Sequence, residues 1–441
     1  MGLHIGFIRC DAKVNLSILH MERALFPVVE RGCHDVTKCS RLVIDHSIMS
    51  ADGNQVFRMK IAMGVRQFRA VGGAEKVTAR LAAHLATSGH TVDVHAYRVD
   101  ASEAATVHAL GRVPRVPRAM RDWATGRGIA RALRASGADI TFGEQKTWGA
   151  NIIRPGGGVE DAYWTARMAY APFLRHPSAR VLHPKRHFDV CAERNGYTDP
   201  ALCRVIANSR MLREQLIARY PQLEEKVTVI HNGVDRVIDP SERDNGEMRK
   251  QLAACHGLDL SSVWLLFAGH EFKRKGLRHA IRALAHAHAA GVGAHLIVVG
   301  RDKTVPYQRE ADRCGVAEAI RFIGTATDVT RYYAACDALI LPTYYDPFAN
   351  VTIEALGAGL PVITTRQNGG SELVDDTCGW VVERPLAEDA MARAIGELSD
   401  SLVRAAKGGS ALEVAARHLL INKMKEMEDV CLSVAEEKRA R

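Results

Sequence analysis

Two carboxylates, Asp346 and Glu354, stand eight residues apart in the run Tyr345-Asp-Pro-Phe-Ala-Asn-Val-Thr-Ile-Glu354. The apolar residues 338–341 just before them read as a buried parallel strand. A helical pattern follows Asp346-Pro347 and stops at Gly357 to Gly359, and the β-branched run 362–365 begins another strand. This spacing predicts both acids at a strand's C-terminal end and on the first turns of the next helix. Open α/β sheets bind ligands there. The helix N-terminus adds N–H groups and a positive dipole end, which suit a diphosphate. Each acid also has a structural reading. Asp before Pro is a common N-cap and N1 pair, and an acid near a helix N-terminus is favoured by the dipole.

A second group is cationic. Gly269-His-Glu-Phe-Lys-Arg-Lys-Gly276 lies between a predicted strand at 263–268 and a predicted helix at 276–290. Fixed cations there would stabilise the charge that develops on a leaving diphosphate. Taken alone, the same turn reads as a solvated basic loop. Gln367-Asn-Gly-Gly-Ser-Glu372 is a further turn at a strand's end, and its structural alternative is a Gly loop with Ser371 as a helix cap. No D-x-D occurs, which argues against a metal-bridged diphosphate; no metal site is expected. None of the 19 histidines stands out as a catalytic group.

The elements that must position these residues alternate in two blocks. In the first, 60–65 is a strand candidate and Val71-Gly-Gly-Ala-Glu-Lys76 is a Gly turn opening a helix whose apolar face includes Leu81 and Leu85. Strands are predicted at 91–97, 138–142, 204–208 and 226–230, with helices at 117–135 and 181–194 and a Ser-capped helix after Ser209. The first turn lacks G-x-G-x-x-G, so a dinucleotide cofactor is not expected. The second block repeats the alternation through 263–268, 295–300, 320–323, 338–341, 362–365 and 380–383. This pattern predicts two doubly wound Rossmann-like domains facing each other. A last helical stripe, from Leu412 through Met424, Met427 and Cys431, needs a surface to cover it.

Composition sets outer limits. The 441 residues are 47% hydrophobic and 25% charged, ordinary for a globular chain of two or three domains. No apolar run reaches the length of a membrane span. Asp11, Lys13, Glu22 and Arg23 break up the first thirty residues, which do not read as a signal peptide. The ten cysteines contain no C-x-x-C and are expected to be reduced, as in a cytoplasmic protein. A net charge of +9 suits nucleic acid, anionic membranes or phosphorylated substrates equally. Residues 1–58 show no sustained period and read as an unstructured or mis-called extension, with Met59 the expected start.

The stretch from Tyr345 to Glu354 resembles the acidic-x7-acidic motif of retaining GT-B glycosyltransferases of family 4. The likeness extends through Lys275 before Gly276, Ala207-Asn-Ser-Arg-Met211 and Asn232-Gly-Val-Asp235, and covers about residue 59 to the end. Within the family it is most like lipopolysaccharide core glycosyltransferases of the glucosyltransferase I type. The chain departs twice: Asp346 stands where the family usually has Glu, shortening the reach by about 1.5 Å, and His270 stands where many members carry Arg.

The resemblance implies a GT-B architecture. It comprises a 59–235 acceptor-side domain, a 236–411 nucleotide-sugar domain, and a 412–441 helix crossing back to the first domain. It implies that Lys275 and Arg274 neutralise the diphosphate and that Asp346 contacts the sugar. Glu354 would grip the ribose, and the helix start at Phe348, Ala349, Asn350 and Val351 would hold the phosphates. Gly72 and Gly73, with Gly369 and Gly370, would line the donor pocket. The implied reaction is retaining transfer of a hexose, glucose from UDP-glucose, onto a lipid-linked glycan acceptor, without cofactor, metal or protein base. Alternatives are GDP-mannose or UDP-N-acetylhexosamine as donor for O-antigen or capsule, and a non-catalytic GT-B binding protein. A peripheral position on the inner face of the cytoplasmic membrane is implied, with no nucleic-acid partner. The Arg-rich segment from Arg112 to Arg134, whose only acid is Asp122, is the expected contact with anionic lipid.

Overall fold

The computed structural model describes residues 47–49, 55–69, 74–100, 105–176, 183–238, 246–326 and 328–440. The expected 1–58 extension lies almost wholly outside these residues. Its described parts are two short strands, β1 (Ser47–Met49) and β2 (Gln55–Phe57).

The first domain is built on β3 (Lys60–Phe68), β4 (Thr91–Val99), β5 (Thr106–Ala109), β6 (Ile140–Glu144), β7 (Ile152–Arg154), β8 (Arg204–Ala207) and β9 (Val227–Val229). They form one sheet in the order β5-β4-β3-β6-β7-β8-β9, with every pairing parallel. The second domain has β10 (Val263–Ala268), β11 (Ala294–Val299), β12 (Ile320–Gly324), β13 (Ala338–Leu341), β14 (Val362–Thr365) and β15 (Gly379–Val382). Their order is β12-β11-β10-β13-β14-β15, again parallel throughout. Helices cover both faces, so β10 and β13 are buried along their whole length, which is why they read as unbroken apolar runs. The architecture is two Rossmann-like α/β domains of the GT-B type.

The strand order fixes where a site can form. The direction of winding reverses between β3 and β6 in one sheet and between β10 and β13 in the other. The turns after β10 and β13 therefore flank one crevice, the usual ligand position in such sheets. Those are the two turns that carry the cations and Asp346.

The return to the first domain differs in detail from the sequence reading. A boundary at 411/412 falls inside the helix Ser401–Ala416. The alanine-rich segment keeps helical character through that point, so periodicity marks no break. The chain crosses at His418 to Leu420, where Val234 N–H donates to His418 O (3.0 Å) and Leu420 N–H to Val234 O (2.8 Å). The helix Leu420–Arg439 then buries Met424, Met427, Cys431 and Val434 against Ile61, Leu81 and Leu85 of the first domain. The helix expected at 181–194 runs from Pro184 to Tyr197, with Pro184 in the first turn, where a missing N–H costs nothing.

Candidate donor site at the interdomain crevice

The turn after β10 is tied to the end of β13. Tyr344 N–H and Thr343 Oγ1 both donate to Arg274 O, at 2.9 and 3.1 Å. This brings Asp346 against residues seventy positions away. Arg274 Nη1 donates to Asp346 Oδ2 at 3.0 Å and to Tyr345 O at 2.7 Å, while its Nε donates to Glu271 Oε2 at 2.5 Å. Lys275 Nζ reaches the same Asp346 oxygen at 3.2 Å. Asp346 and Lys275 are each only 8% exposed. Burial alone would raise the Asp346 carboxyl; the Lys275 and Arg274 charges outweigh it and hold the group below the usual carboxylate range. Burial works against the Arg274 charge, but Asp346 and Glu271 raise its pKa and keep it charged. One buried carboxylate thus lies between two cations at the end of β13.

Asp346 is not the cap of the following helix. That helix spans Asn350–Gly357 with Ala349 at the N-cap. No side chain caps its first turn; Asn368 Oδ1, from the next turn, accepts from Ala349 N–H (3.1 Å) and Gly370 N–H (2.9 Å) and so fixes the chain just before the helix. Asn368 also replaces Ser371 as the cap of the 369–373 turn. Phe348 and Ala349 are buried, and Asn350 and Val351 partly so. Asn350 Oδ1 accepts from Asn232 Nδ2 at 2.6 Å, and Asn232 Oδ1 accepts in turn from Arg154 on β7. Glu354 is partly buried and accepts the Tyr333 hydroxyl at 3.0 Å.

The expected donor-binding glycines divide. Gly72 and Gly73 lie outside the described residues. Gly369 and Gly370 are buried and serve close packing. A Cβ on Gly369 would sit 1.9 Å from Pro347 O and 2.6 Å from Ser209 Cβ of the first domain, and one on Gly370 would press on Thr352.

Several site residues have no local signature in the sequence. Glu372 accepts from Arg210 N–H (2.9 Å) and Met211 N–H (2.8 Å), so the second domain caps a helix of the first; His231 Nε2 lies 2.8 Å from the same carboxylate. The Tyr345 hydroxyl donates to Gln215 Oε1 (2.9 Å) and accepts from Val159 N–H (3.1 Å). At the crevice end of β6, Glu144 accepts Thr78 Oγ1 at 2.5 Å, and desolvation lifts its carboxyl to about 7. A polar cavity of 330 Å³ lies between Gly156 and Gly157 on one side and Arg274 and Asp346 on the other. Among the described residues no group of three His, Cys, Asp or Glu side chains is placed to hold a metal ion.

Comparison with known proteins adds to this geometry. The family described as "Glycosyl transferases group 1" matches residues 262–401, and "Glycosyltransferase Family 4" matches residues 71–154. The chain is 28% identical over 242 residues to the lipopolysaccharide glucosyltransferase WaaG of Escherichia coli K12, a match covering 52% of this chain and 63% of that one. It is similar in fold to the crystal structure of WaaG, with a TM-score of 0.68 and 22% identity over 84% of this chain and 99% of that one. It also matches Anabaena HepE in complex with UDP-glucose, with a TM-score of 0.63 and 17% identity over 87% of this chain and all of that one.

Proposed function

We propose that this chain, a glycosyltransferase of the GT-B type by its fold and its family matches, is a retaining hexosyltransferase. It moves glucose from UDP-glucose onto a lipid-linked acceptor in lipopolysaccharide core assembly. The observation that carries this reading is the Arg274–Asp346–Lys275 cluster at the winding reversal of the second sheet, beside the start of the helix that bears Glu354. The similarity to WaaG, and to a protein solved with UDP-glucose, supports the choice of donor and acceptor class.

In this reading Arg274, Lys275 and the N-terminus of helix Asn350–Gly357 neutralise the diphosphate, with no metal needed. Asp346 orients the sugar. The departing phosphate takes the acceptor's proton on the face it leaves, so no side chain serves as base. Glu354 receives the ribose hydroxyls, and the Tyr333 hydroxyl holds its carboxylate in place. Ribose contacts exist in ground and transition states alike, so Glu354→Ala should weaken UDP binding itself, by about tenfold or more for lost hydrogen bonds to a charged group. UDP binding at wild-type strength in that variant would reduce Glu354 to a helix residue with a tyrosine partner.

The reading is tested by incubating the purified protein with a panel of nucleotide sugars and following sugar release. Turnover of UDP-glucose is expected. Turnover of GDP-mannose or UDP-N-acetylhexosamine instead would move the protein to O-antigen or capsule synthesis. The pairing of Asp346 with both cations favours a second reading, a non-catalytic binding protein; normal nucleotide binding with no donor ever turned over would establish it.

In this reading a lipid-linked acceptor is met at the cytoplasmic face of the inner membrane. Of the Arg-rich segment, Arg112 and Arg115 precede any helix, and the rest forms the single turn Arg118–Met120 and the helix Arg121–Ala135. Its arginines are exposed; Arg134 pairs with Asp199 (2.8 Å), while Asp122 is occupied by Arg66 (2.5 Å) and Lys185 (2.8 Å) rather than by the helix's own arginines. Each Arg near an anionic surface adds about 1 kcal/mol. Salt-reversible binding to anionic vesicles is expected, and reduced sedimentation when Arg118, Arg121, Arg127 and Arg131 become Gln. Undiminished binding of that variant, or binding that survives high salt, would dismiss the membrane contact. Among the described residues no helix is long and apolar enough to cross a membrane.

A further inference from the structure

Arg154 ends β7 at the crevice and is only 3% exposed. Its polar contacts are few. Nη2 donates to Asn232 Oδ1. Nε is enclosed with no acceptor, and the guanidinium makes no ion pair among the described residues. Nη1 has no acceptor either, and it is not enclosed. The acid beside Arg154 in the sheet is Glu144, its partner in register on β6. That carboxyl turns to Thr78 Oγ1 at 2.5 Å, and desolvation lifts it to about 7, so near neutral pH it carries only part of a charge. Burial lowers the Arg154 pKa to about 10, which leaves the guanidinium charged.

A buried charge without a counter-charge is strongly unfavourable. A fold that keeps one gains from it elsewhere, and ligand sites are where such groups collect. The position of Arg154 says which ligand. Asn232 Nδ2 donates to Asn350 Oδ1 at 2.6 Å, so one amide side chain separates the guanidinium from the first residue of helix Asn350–Gly357. That helix start favours an anion. A guanidinium meets phosphate oxygens through its planar array of N–H groups. Arg274 and Lys275 of the second domain already share the Asp346 carboxylate. Arg154 has no acid to give up.

We infer that Arg154 is a further ligand of the donor's diphosphate, supplied by the first domain beside Asn232. The inference rests on the transferase reading above and adds to it a cation on the opposite domain from Lys275.

The test titrates the full chain with UDP and with uridine, which differ only in the diphosphate. Arg154→Gln removes the charge and keeps a donor for Asn232 Oδ1. Its dissociation constant for UDP should rise about tenfold or more, as for a lost hydrogen bond to a charged group, with uridine binding unmoved. If that variant does not fold, Arg154→Met, which fills the same space with an apolar chain, is read in the same way. Three results would overturn the role: UDP bound by the variant as tightly as by the wild type, an equal loss for UDP and uridine, or failure of both variants to fold. Each would leave Arg154 a structural partner of Asn232. A wild type that takes GDP in place of UDP is titrated with GDP and guanosine instead, and one that binds no nucleotide removes the inference together with the transferase reading. UDP-glucose turnover by the wild type is read separately. Turnover with UDP binding indifferent to Arg154 counts against Arg154 alone, while a selective loss of UDP binding without any turnover counts against the transferase reading alone.

Discussion

Lys275→Ala is expected to lower kcat/KM for the donor by about a hundredfold or more, in the range seen when a fixed electrostatic stabiliser is lost from a closed site. Lys275 is buried and has two anionic neighbours in prospect: Asp346 now, at 3.2 Å, and the diphosphate when a donor binds. Charge builds on the phosphates as the sugar leaves, so the loss should fall mainly on kcat. The variant also leaves Asp346 with Arg274 as its remaining close cation, and burial then pushes its carboxyl upward. The rate should therefore begin to fall at a higher pH in the variant than in the wild type as the medium is made acid. Gly269 gives an independent check. It has φ +138°, and a Cβ there would lie 2.7 Å from Lys275 Cδ and Cε. Gly269→Ala must therefore displace the lysine stem, and it should reproduce much of the kinetic loss without removing a charge. If Lys275→Ala retains donor turnover within threefold of wild type, the cation is structural and the diphosphate lies elsewhere.

The contrast between these residues and Asn368 shows how far the sequence could be read. A cationic turn after one apolar run and an acid after another are local patterns, and each marks the C-terminal end of a parallel strand. That β10 and β13 are neighbours is decided by strand order, which no local pattern carries. The sequence therefore gives Arg274, Lys275 and Asp346 separate ligand contacts, and only the fold reveals that they hold one another. The structural alternative for Asp346, an N-cap, is set aside by the same kind of distant contact. Asp346-Pro347 has the composition of a helix start, but the helix begins three residues later, after Ala349, whose N–H is held by Asn368 from the turn after β14, and Asp346 faces the cations. Tyr333, Asn232 and Glu372 act across 21, 118 and 161 or more positions, so spacing could not single them out. The crossing at His418 was misplaced because the alanine-rich helix before it never loses its period.

Glu372→Ala is expected to lower kcat/KM by about tenfold or more while leaving UDP affinity close to wild type. Glu372 sits on the second domain, yet its carboxylate accepts the first two N–H groups of helix Arg210–Arg219 and faces His231, all on the first domain. The helix already has its own cap in Ser209 Oγ, which accepts from Leu212 N–H at 3.1 Å, so Glu372 is not needed to form it. What it adds is a bond across the crevice, next to the close packing of Gly369 on Ser209. Removing hydrogen bonds to a charged group takes about 2 kcal/mol from the closed arrangement alone. That lowers the closed-to-open ratio about thirtyfold. A site that needs both domains then works only in the fraction that remains closed. The pH dependence follows from the same contacts. Burial would raise the Glu372 carboxyl, but His231 and the N–H groups of Arg210 and Met211 outweigh it and hold its folded-state pKa below the ordinary value. The latch is therefore complete above the ordinary carboxylate range and is lost as pH falls through the depressed value. Small-angle scattering should show the wild type expanding only in acid and the Glu372→Ala chain expanded already at neutral pH. A variant with wild-type kcat/KM and an unchanged radius of gyration at neutral pH would show that the two domains are held together without Glu372.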